Sequence, residues 1–251
     1  MKIRLDKLLL ERGLASTRER AQALILAGRV LVDGQKVEKA GAGVSGEAEI
    51  RLLGEELKYA SRGGLKLARA LEHWKIEARG RVCVDVGAST GGFTDCLLQQ
   101  GAARVIAIDT GYGQMDARLR SDPRVRLLER TNARYLKPEE VGEAASLVCV
   151  DVSFISATLV LPAVIAAVTS SRWSVASELV ELIVLAKPQF EAGKGKVGKG
   201  GIVRDPELQQ AAVERVRRAV EALGGRGVEV IESPILGAEG NREFLLHAQF
   251  D

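Results

Sequence analysis

Behind an apolar run, RVCV, the chain carries DVGASTGGFTD at residues 85–95. A glycine-rich turn between a strand and a helix brings backbone amides close to a nucleotide, because glycine has no Cβ to hold the ligand off. A phosphate loop of the ATP-binding kind needs G-x-x-x-x-G-K-[ST], yet Gly92 is followed by Phe93 and Thr94, with no lysine for the phosphates. A dinucleotide turn puts glycines at relative positions one, three and six. Here those positions are Gly87, Ser89 and Gly92, so the residue that must come closest to a pyrophosphate is a serine. Asp85 ends the strand before the turn, and Asp109 ends the next one in VIAID, where its carboxylate can accept from both hydroxyls of a ribose. Carboxylates at the two ends suit a nucleoside bearing an amino group and a sulfonium, which puts S-adenosylmethionine ahead of NAD. The expected contacts are the backbone at Gly87, Ser89, Gly91, Gly92 and Phe93, with Asp85 toward the amino acid end and Asp109 on the ribose. Asn132, in TNAR, is placed toward the adenine.

These residues need a frame that delivers strand ends to one place. From residue 65 onward the apolar pattern alternates between helix and strand periods. It predicts helices over 65–73, 92–99, 155–168 and 206–223, and strands over 81–86, 105–109, 125–128, 147–151, 182–187, 228–231 and 243–250. Such alternation specifies an α/β domain, a largely parallel sheet with helices on both faces; with S-adenosylmethionine as the expected ligand of its glycine turn, the expected fold class is a Rossmann-like S-adenosylmethionine-dependent methyltransferase domain. The lysine-glycine segment EAGKGKVGKGG, 191–201, reads as a loop, whose lysines 194, 196 and 199 are candidate phosphate contacts.

The first 56 residues have a different texture. Leu5, Leu8, Leu9, Ala21, Leu24 and Ile25 recur at helical spacing, Gly13 and Gly28 stop the two helices, and Ser16-Thr17 supply a cap. Val30–Val32, the turn pair Asp33-Gly34 and a return at Val37 signal a hairpin. Residues 1–39 hold nine Lys or Arg against five acids. Arg4, Lys7, Arg18 and Arg20 lie off the apolar stripe, a candidate electrostatic footprint for RNA. The pattern RLDKLL, then GLASTR with VLVDGQKV downstream, resembles the small α+β RNA-binding domain named after the fourth protein of the small ribosomal subunit. The expected organisation is that domain at 1–56, a linker at 57–64 and the catalytic domain at 65–251. Arg62, in SRGG beside the expected site, is a further candidate RNA contact.

What the catalytic domain methylates is approached through the end of the fourth strand, DVSF at 151–154. It lacks the Asn/Asp-Pro-Pro-aromatic run of base amino methylation, and no cysteine follows any of the six prolines, as pyrimidine carbon methylation would require. Oxygen is the better expected acceptor. Residues 61–251 are similar to the FtsJ-type ribose 2′-O-methyltransferases, and the whole chain resembles the TlyA family, also labelled hemolysin A, of rRNA (cytidine-2′-O)-methyltransferases. That resemblance implies a catalytic tetrad: Lys66 in SRGGLKLARAL, Asp151 in VDVSFIS, Lys187 in LAKPQFEAG and Glu243 in EGNREFLLH. Asp151 also counts among the expected cofactor contacts. A ribose hydroxyl is a poor nucleophile at neutral pH, so a group must take or share its proton, and Lys187 is the first choice for contact with that oxygen. Lysine is ordinarily protonated, so burial and the nearby Lys66 would favour a basic amine, while Asp151 and Glu243 favour an ammonium that only orients the hydroxyl. Both roles stay open.

Composition narrows the alternatives. With 251 residues, 46% apolar and 27% charged, the chain can bury a core, and its net charge of +3 is only mildly basic. Cys83, Cys96 and Cys149 lack C-x-x-C spacing and sit in apolar context, which suits buried thiols in a reducing cytoplasm. No His/Cys/carboxylate spacing suggests a metal, and His73 and His247 fall away from the motifs. The N-terminus, MKIRLDKLLLERG, is charged where a signal peptide is apolar, and the apolar stretch at 159–168 is too short for a bilayer. The expected partner is ribosomal RNA or a ribosomal subunit rather than a membrane. A membrane-active hemolysin and a non-catalytic RNA-binding assembly factor are the competing readings.

Overall fold

The computed structural model describes residues 2–15, 18–26, 28–53, 58–170, 179–193, 197, 198, 200–237 and 240–251, without the side chains of residues 19, 20 and 23. The chain divides into two compact units, Met1–Glu56 and Leu57–Asp251.

In the smaller unit, β1 (Lys2–Arg4) leads into α1 (Leu5–Glu11) and α2 (Arg18–Leu26), followed by β2 (Val30–Val32), β3 (Gln35–Lys36), β4 (Gly43–Ser45) and β5 (Ile50–Leu52). The hairpin between β2 and β3 turns on two residues, Asp33 and Gly34, both at positive φ (50° and 77°). That is the backbone twist a two-residue hairpin requires, and Asp-Gly supplies it at least cost. Leu5, Leu8 and Leu9 from α1 meet Ala21 and Ile25 from α2 over Val30 and Val32. The short strands β1, β4 and β5 were not legible in the apolar pattern, since none exceeds three residues. Ser16 and Thr17, the expected cap, lie outside the described residues.

The larger unit runs α3 (Gly63–Trp74), β6 (Val82–Val86), α4 (Gly92–Gln99), β7 (Arg104–Ile108), α5 (Ala117–Arg120), β8 (Val125–Leu128), α6 (Pro138–Val141), β9 (Leu147–Val150), α7 (Leu161–Val168), β10 (Val180–Ala186), α8 (Pro188–Glu191), α9 (Pro206–Ala222), β11 (Arg226–Glu232) and β12 (Phe244–Phe250). Among the described residues the strands form one seven-stranded sheet in the order β11-β12-β10-β9-β6-β7-β8. Neighbours from β10 to β8 pair parallel, and β12 alone runs against its neighbours. Side chains alternate between the faces of a strand. Accordingly Val84, Val86, Ile106, Ile108, Val148 and Val150 pack under α7 and α9, whereas Cys83, Val105, Ala107, Leu147 and Cys149 pack under α3 and α4. All three cysteines are buried and free.

The segment expected to link the units is not a free connector over its described part. Tyr59 is buried in the core beneath α3, Ala60 N donates to Asp95 Oδ2 (2.7 Å), and Gln99 Nε2 donates to the Lys58 carbonyl (2.9 Å). The helix α3 also begins two residues earlier than expected, at Gly63. The apolar surface of Tyr59 decides this, because its ring covers Gly64, where a Cβ would lie 2.4 Å from the ring.

Candidate active site

The chain enters the sheet at β6, builds outward through β7 and β8, then returns to place β9 on the other side of β6. A crevice opens at the carboxyl ends of strands where the order reverses in this way. Gly87 follows β6 and Asp151 follows β9, and the two backbones touch there: a Cβ on Gly87 would lie 2.3 Å from the Asp151 carbonyl oxygen, and φ at Gly87 is +88°. Glycine is required at this position on both counts.

Two hollows meet over that contact. The first, about 420 Å³, is lined by Gly87, Ser89, Asp109, Gln114, Thr131 and Asn132, with Asp151, Ser153 and Phe154 at its other wall. The second, about 260 Å³, is lined by Arg62, Lys66, Ser89, Gly92, Phe93, Asp151, Ser153 and Lys187. Gly87, Ser89, Asp151 and Ser153 belong to both.

The four residues of the expected tetrad come together as two ion pairs. Lys66 Nζ lies 2.5 Å from Glu243 Oε2, and Lys187 Nζ lies 2.6 Å from Asp151 Oδ1. The second contact is close but off the hydrogen-bonding direction, and Lys187 Nζ donates instead to Ser153 Oγ at 2.8 Å. Lys66, Lys187 and Glu243 are all buried. Glu243 reaches this edge because β12 is antiparallel to β10, so its first residues stand beside the last residues of β10. Taking two lysine–carboxylate pairs out of water stabilises a fold little or not at all, whereas losing one partner costs about 3–5 kcal/mol. Their placement around one hollow therefore points to chemistry rather than to stability.

The expected cofactor contacts divide. Asp109 lines the larger hollow, where its carboxylate accepts from Ser89 N (2.8 Å) and Gly111 N (2.6 Å). A carboxylate has about four acceptor sites, so two backbone donors leave capacity for a hydroxyl. Asn132 lines the same hollow while its Oδ1 accepts from Arg134 N (3.1 Å). Ser89 is held at φ +47° and Gly91 at +92°, and Gly92, the first residue of α4, packs so tightly that a Cβ would meet Ser61 Oγ at 2.2 Å. Phe93 is itself buried.

Asp85 is placed otherwise. Strand alternation turns it to the α4 face with Cys83 and Cys149, fully buried, and it lines neither hollow. Its Oδ2 accepts from Thr94 Oγ1 at 2.6 Å, and Oδ1 has no partner. Burial pushes its carboxyl up to about 7, with the hydrogen bond from Thr94 opposing and the charge of Asp151 adding. The expected contact of its side chain with the amino acid end of a cofactor is not what this geometry offers; Asp85 supports the turn from beneath.

Several residues at the site carried no signal in the apolar pattern. Ser153 and Phe154 lie two and three residues after Asp151, and Phe154 is 93% exposed at φ +65°, with its ring centroid 5.4 Å from that of Phe190. A bulky residue at positive φ is strained, and surroundings must hold it there. Exposed Tyr112 lies under the Arg130 guanidinium at 4.4 Å. His73 and His247 flank Trp74 in an aromatic cluster that lines neither hollow. Among the described residues no cluster could hold a metal.

In the smaller unit Arg4 and Arg18 are brought together by a residue that sequence reading passed over. Asp6 is fully buried; its carboxylate accepts from Arg4 Nε and Nη2 (3.0 and 2.8 Å), Arg18 Nε (3.1 Å) and Gln22 Nε2 (3.0 Å). Hydrogen bonding from Arg4, with help from Gln22 and Arg18, holds this carboxyl well below the usual range. Both arginine side chains remain half exposed, and Lys7 is exposed beside them in α1. The Arg20 side chain and lysines 194, 196 and 199 lie outside the described residues.

A model of the FtsJ-like methyltransferases matches residues 59–250, and one of the S4 domain matches residues 3–50. The 16S/23S rRNA (cytidine-2′-O)-methyltransferase TlyA of Mycobacterium tuberculosis is 47% identical over 244 residues, spanning 97% of this chain and 88% of the relative. Hemolysin A of Brachyspira hyodysenteriae is 39% identical over 246 residues, spanning 98% and 99%. A solved Streptococcus thermophilus protein bearing the hemolysin name superposes with a TM-score of 0.72 at 39% identity, over 99% of this chain and 88% of that one. With two paired lysines and carboxylates at the switch point of a methyltransferase sheet, and an S4 domain ahead of it, this chain belongs to the FtsJ-like methyltransferases of the TlyA family.

Proposed function

We propose that this enzyme methylates the ribose 2′-hydroxyl of a cytidine in ribosomal RNA, in the cytoplasm, with S-adenosylmethionine as donor. The observation that carries the reading is the pair of lysine–carboxylate bridges around a hollow that shares Gly87, Ser89, Asp151 and Ser153 with a larger one. The larger hollow suits the donor. Its volume is in the range of small-molecule sites, and Asp109 can accept from ribose hydroxyls. Bound there, S-adenosylmethionine supplies an electrophilic methyl group.

In the smaller hollow Lys187 Nζ holds the acceptor oxygen in line, and Asp151 and Ser153 hold that nitrogen in place. Glu243 fixes Lys66 on the opposite side. The exposed ring of Phe154 offers a stacking surface for a base, a contact worth about 1–3 kcal/mol. Arg62 at the rim, and Arg4, Lys7, Arg18 and Arg20 in the S4 domain, supply phosphate contacts. The solved Streptococcus thermophilus protein that bears the hemolysin name shares this frame, and among the described residues no helix is long and apolar enough to cross a membrane. An intact arrangement of two lysine–carboxylate pairs, three of the four groups buried, counts against a purely RNA-binding role.

The Lys187→Ala variant tests the assignment. Methyl transfer to rRNA should fall by about 10²-fold or more, while calorimetry shows S-adenosylmethionine binding within about threefold of wild type. Transfer at the wild-type rate removes Lys187 from the mechanism.

A further inference from the structure

The two loops that carry Asp151 and Lys187 are tied together a second time, away from the reacting groups. Glu191 closes α8, four residues beyond Lys187, and is 2% exposed. Its Oε1 accepts from Ala157 N at 2.7 Å and its Oε2 accepts from Ser156 Oγ. Ser156 in turn pairs with Thr158 Oγ1 (2.7 Å) and caps the short helical turn Ala157–Leu159 through Thr158 N. Between this clasp and Asp151 lie Ser153, which accepts from Lys187, and Phe154 in its strained left-handed conformation against Phe190. The loop 151–156 is thus held at both ends by residues of one neighbouring segment, 187–191. Burying a carboxylate is costly, and this one spends both oxygens on the loop opposite.

We propose that Glu191 is a positioning residue for methyl transfer: by clasping Ser156 and Ala157 it fixes the loop that presents Asp151, Ser153 and Phe154 to Lys187. Glu191 lines neither hollow and touches no reacting atom. Its effect is on geometry, where a displacement of about 1 Å can cost 10²-fold in rate. A glutamine can keep both contacts, because its Oε1 still accepts from Ala157 N and its amide can donate to Ser156 Oγ once that hydroxyl reverses.

The inference rests on the methyltransferase reading, and steady-state kinetics of the full chain with tritiated S-adenosylmethionine and isolated ribosomal subunits separates the two. Glu191→Ala should lower kcat by about 10- to 100-fold with KM for donor and RNA within about twofold. Ser156→Ala should lower kcat by a smaller factor, and Glu191→Gln should restore kcat to within about threefold of wild type. A wild-type kcat in the alanine variant, a loss of kcat matched by an equal rise in donor KM, or a glutamine variant as poor as alanine overturns the positioning role. If Glu191→Ala does not fold, Ser156→Ala and Glu191→Gln decide by the same criteria. No transfer by the wild-type enzyme overturns the methyltransferase reading, and the positioning role with it.

Discussion

At the scale of single residues, glycine and charge placement set what the site can do. Gly87 has no room for a Cβ against Asp151, so Gly87→Ala should cost at least about 2 kcal/mol in urea unfolding and weaken donor binding in calorimetry. Ser89 occupies a left-handed conformation at φ +47°, which is why glycine is the commoner choice in such turns. Ser89→Gly should leave stability unchanged or raise it by up to about 1 kcal/mol. Asp85 makes a prediction about pH. Its carboxyl, pushed from 3.8 up to about 7 by burial, binds a proton in the folded state across a range where the unfolded chain has lost it. Stability therefore falls as pH rises through that range, by up to ~4 kcal/mol, and Asp85→Asn should flatten the dependence of melting temperature between about pH 4 and about pH 7. That Lys66, Asp151, Lys187 and Glu243 would gather, as they do in two pairs, was expected because their motifs resemble a family's. The buried orientation of Asp85 was not, since an acid at a strand end can face either the crevice or the sheet, and only strand register decides.

At the scale of elements, the helix and strand periods in the larger unit foretold the sheet, because its strands are continuous apolar runs and its long helices are amphipathic. What periodicity could not show is direction. The antiparallel course of β12 comes from its insertion between β10 and β11, and it alone brings Glu243 to the edge where Lys66 waits. Short elements such as α5, α6 and β4 also escaped notice, being too brief to show a period. In the smaller unit the basic residues were legible but their organiser was not. Asp6 looked like one acid in a charged helix, whereas burial makes it the anchor of Arg4 and Arg18. Asp6→Ala should therefore weaken RNA binding in filter assays even though it removes a negative charge. An increase in affinity would show that its charge outweighs its hold on the arginines. Arg4→Ala should lower the slope of log affinity against log salt by about one.

At the scale of the molecule, the chain joins an S4 domain to an FtsJ-like methyltransferase domain. If the S4 domain supplies the phosphate contacts, a chain lacking residues 1–56 should bind rRNA more weakly and with a flatter salt dependence, while its affinity for S-adenosylmethionine stays unchanged. An unchanged salt slope would place the RNA contacts elsewhere. The two-part organisation was legible in the change of texture near residue 57; that the segment after it packs onto α3 and α4 rather than hanging free depends on the burial of Tyr59, an aromatic in a polar stretch that could have packed to either side. Together these parts should deliver a methyl group to an RNA sugar. Mass-spectrometric mapping of ribose methylation in unmodified rRNA, incubated with the purified protein and S-adenosylmethionine, tests it most directly. The account predicts a new 2′-O-methylcytidine that is absent when the Lys187→Ala variant is used; methylation on a base, or no methylation of any nucleotide, would contradict it.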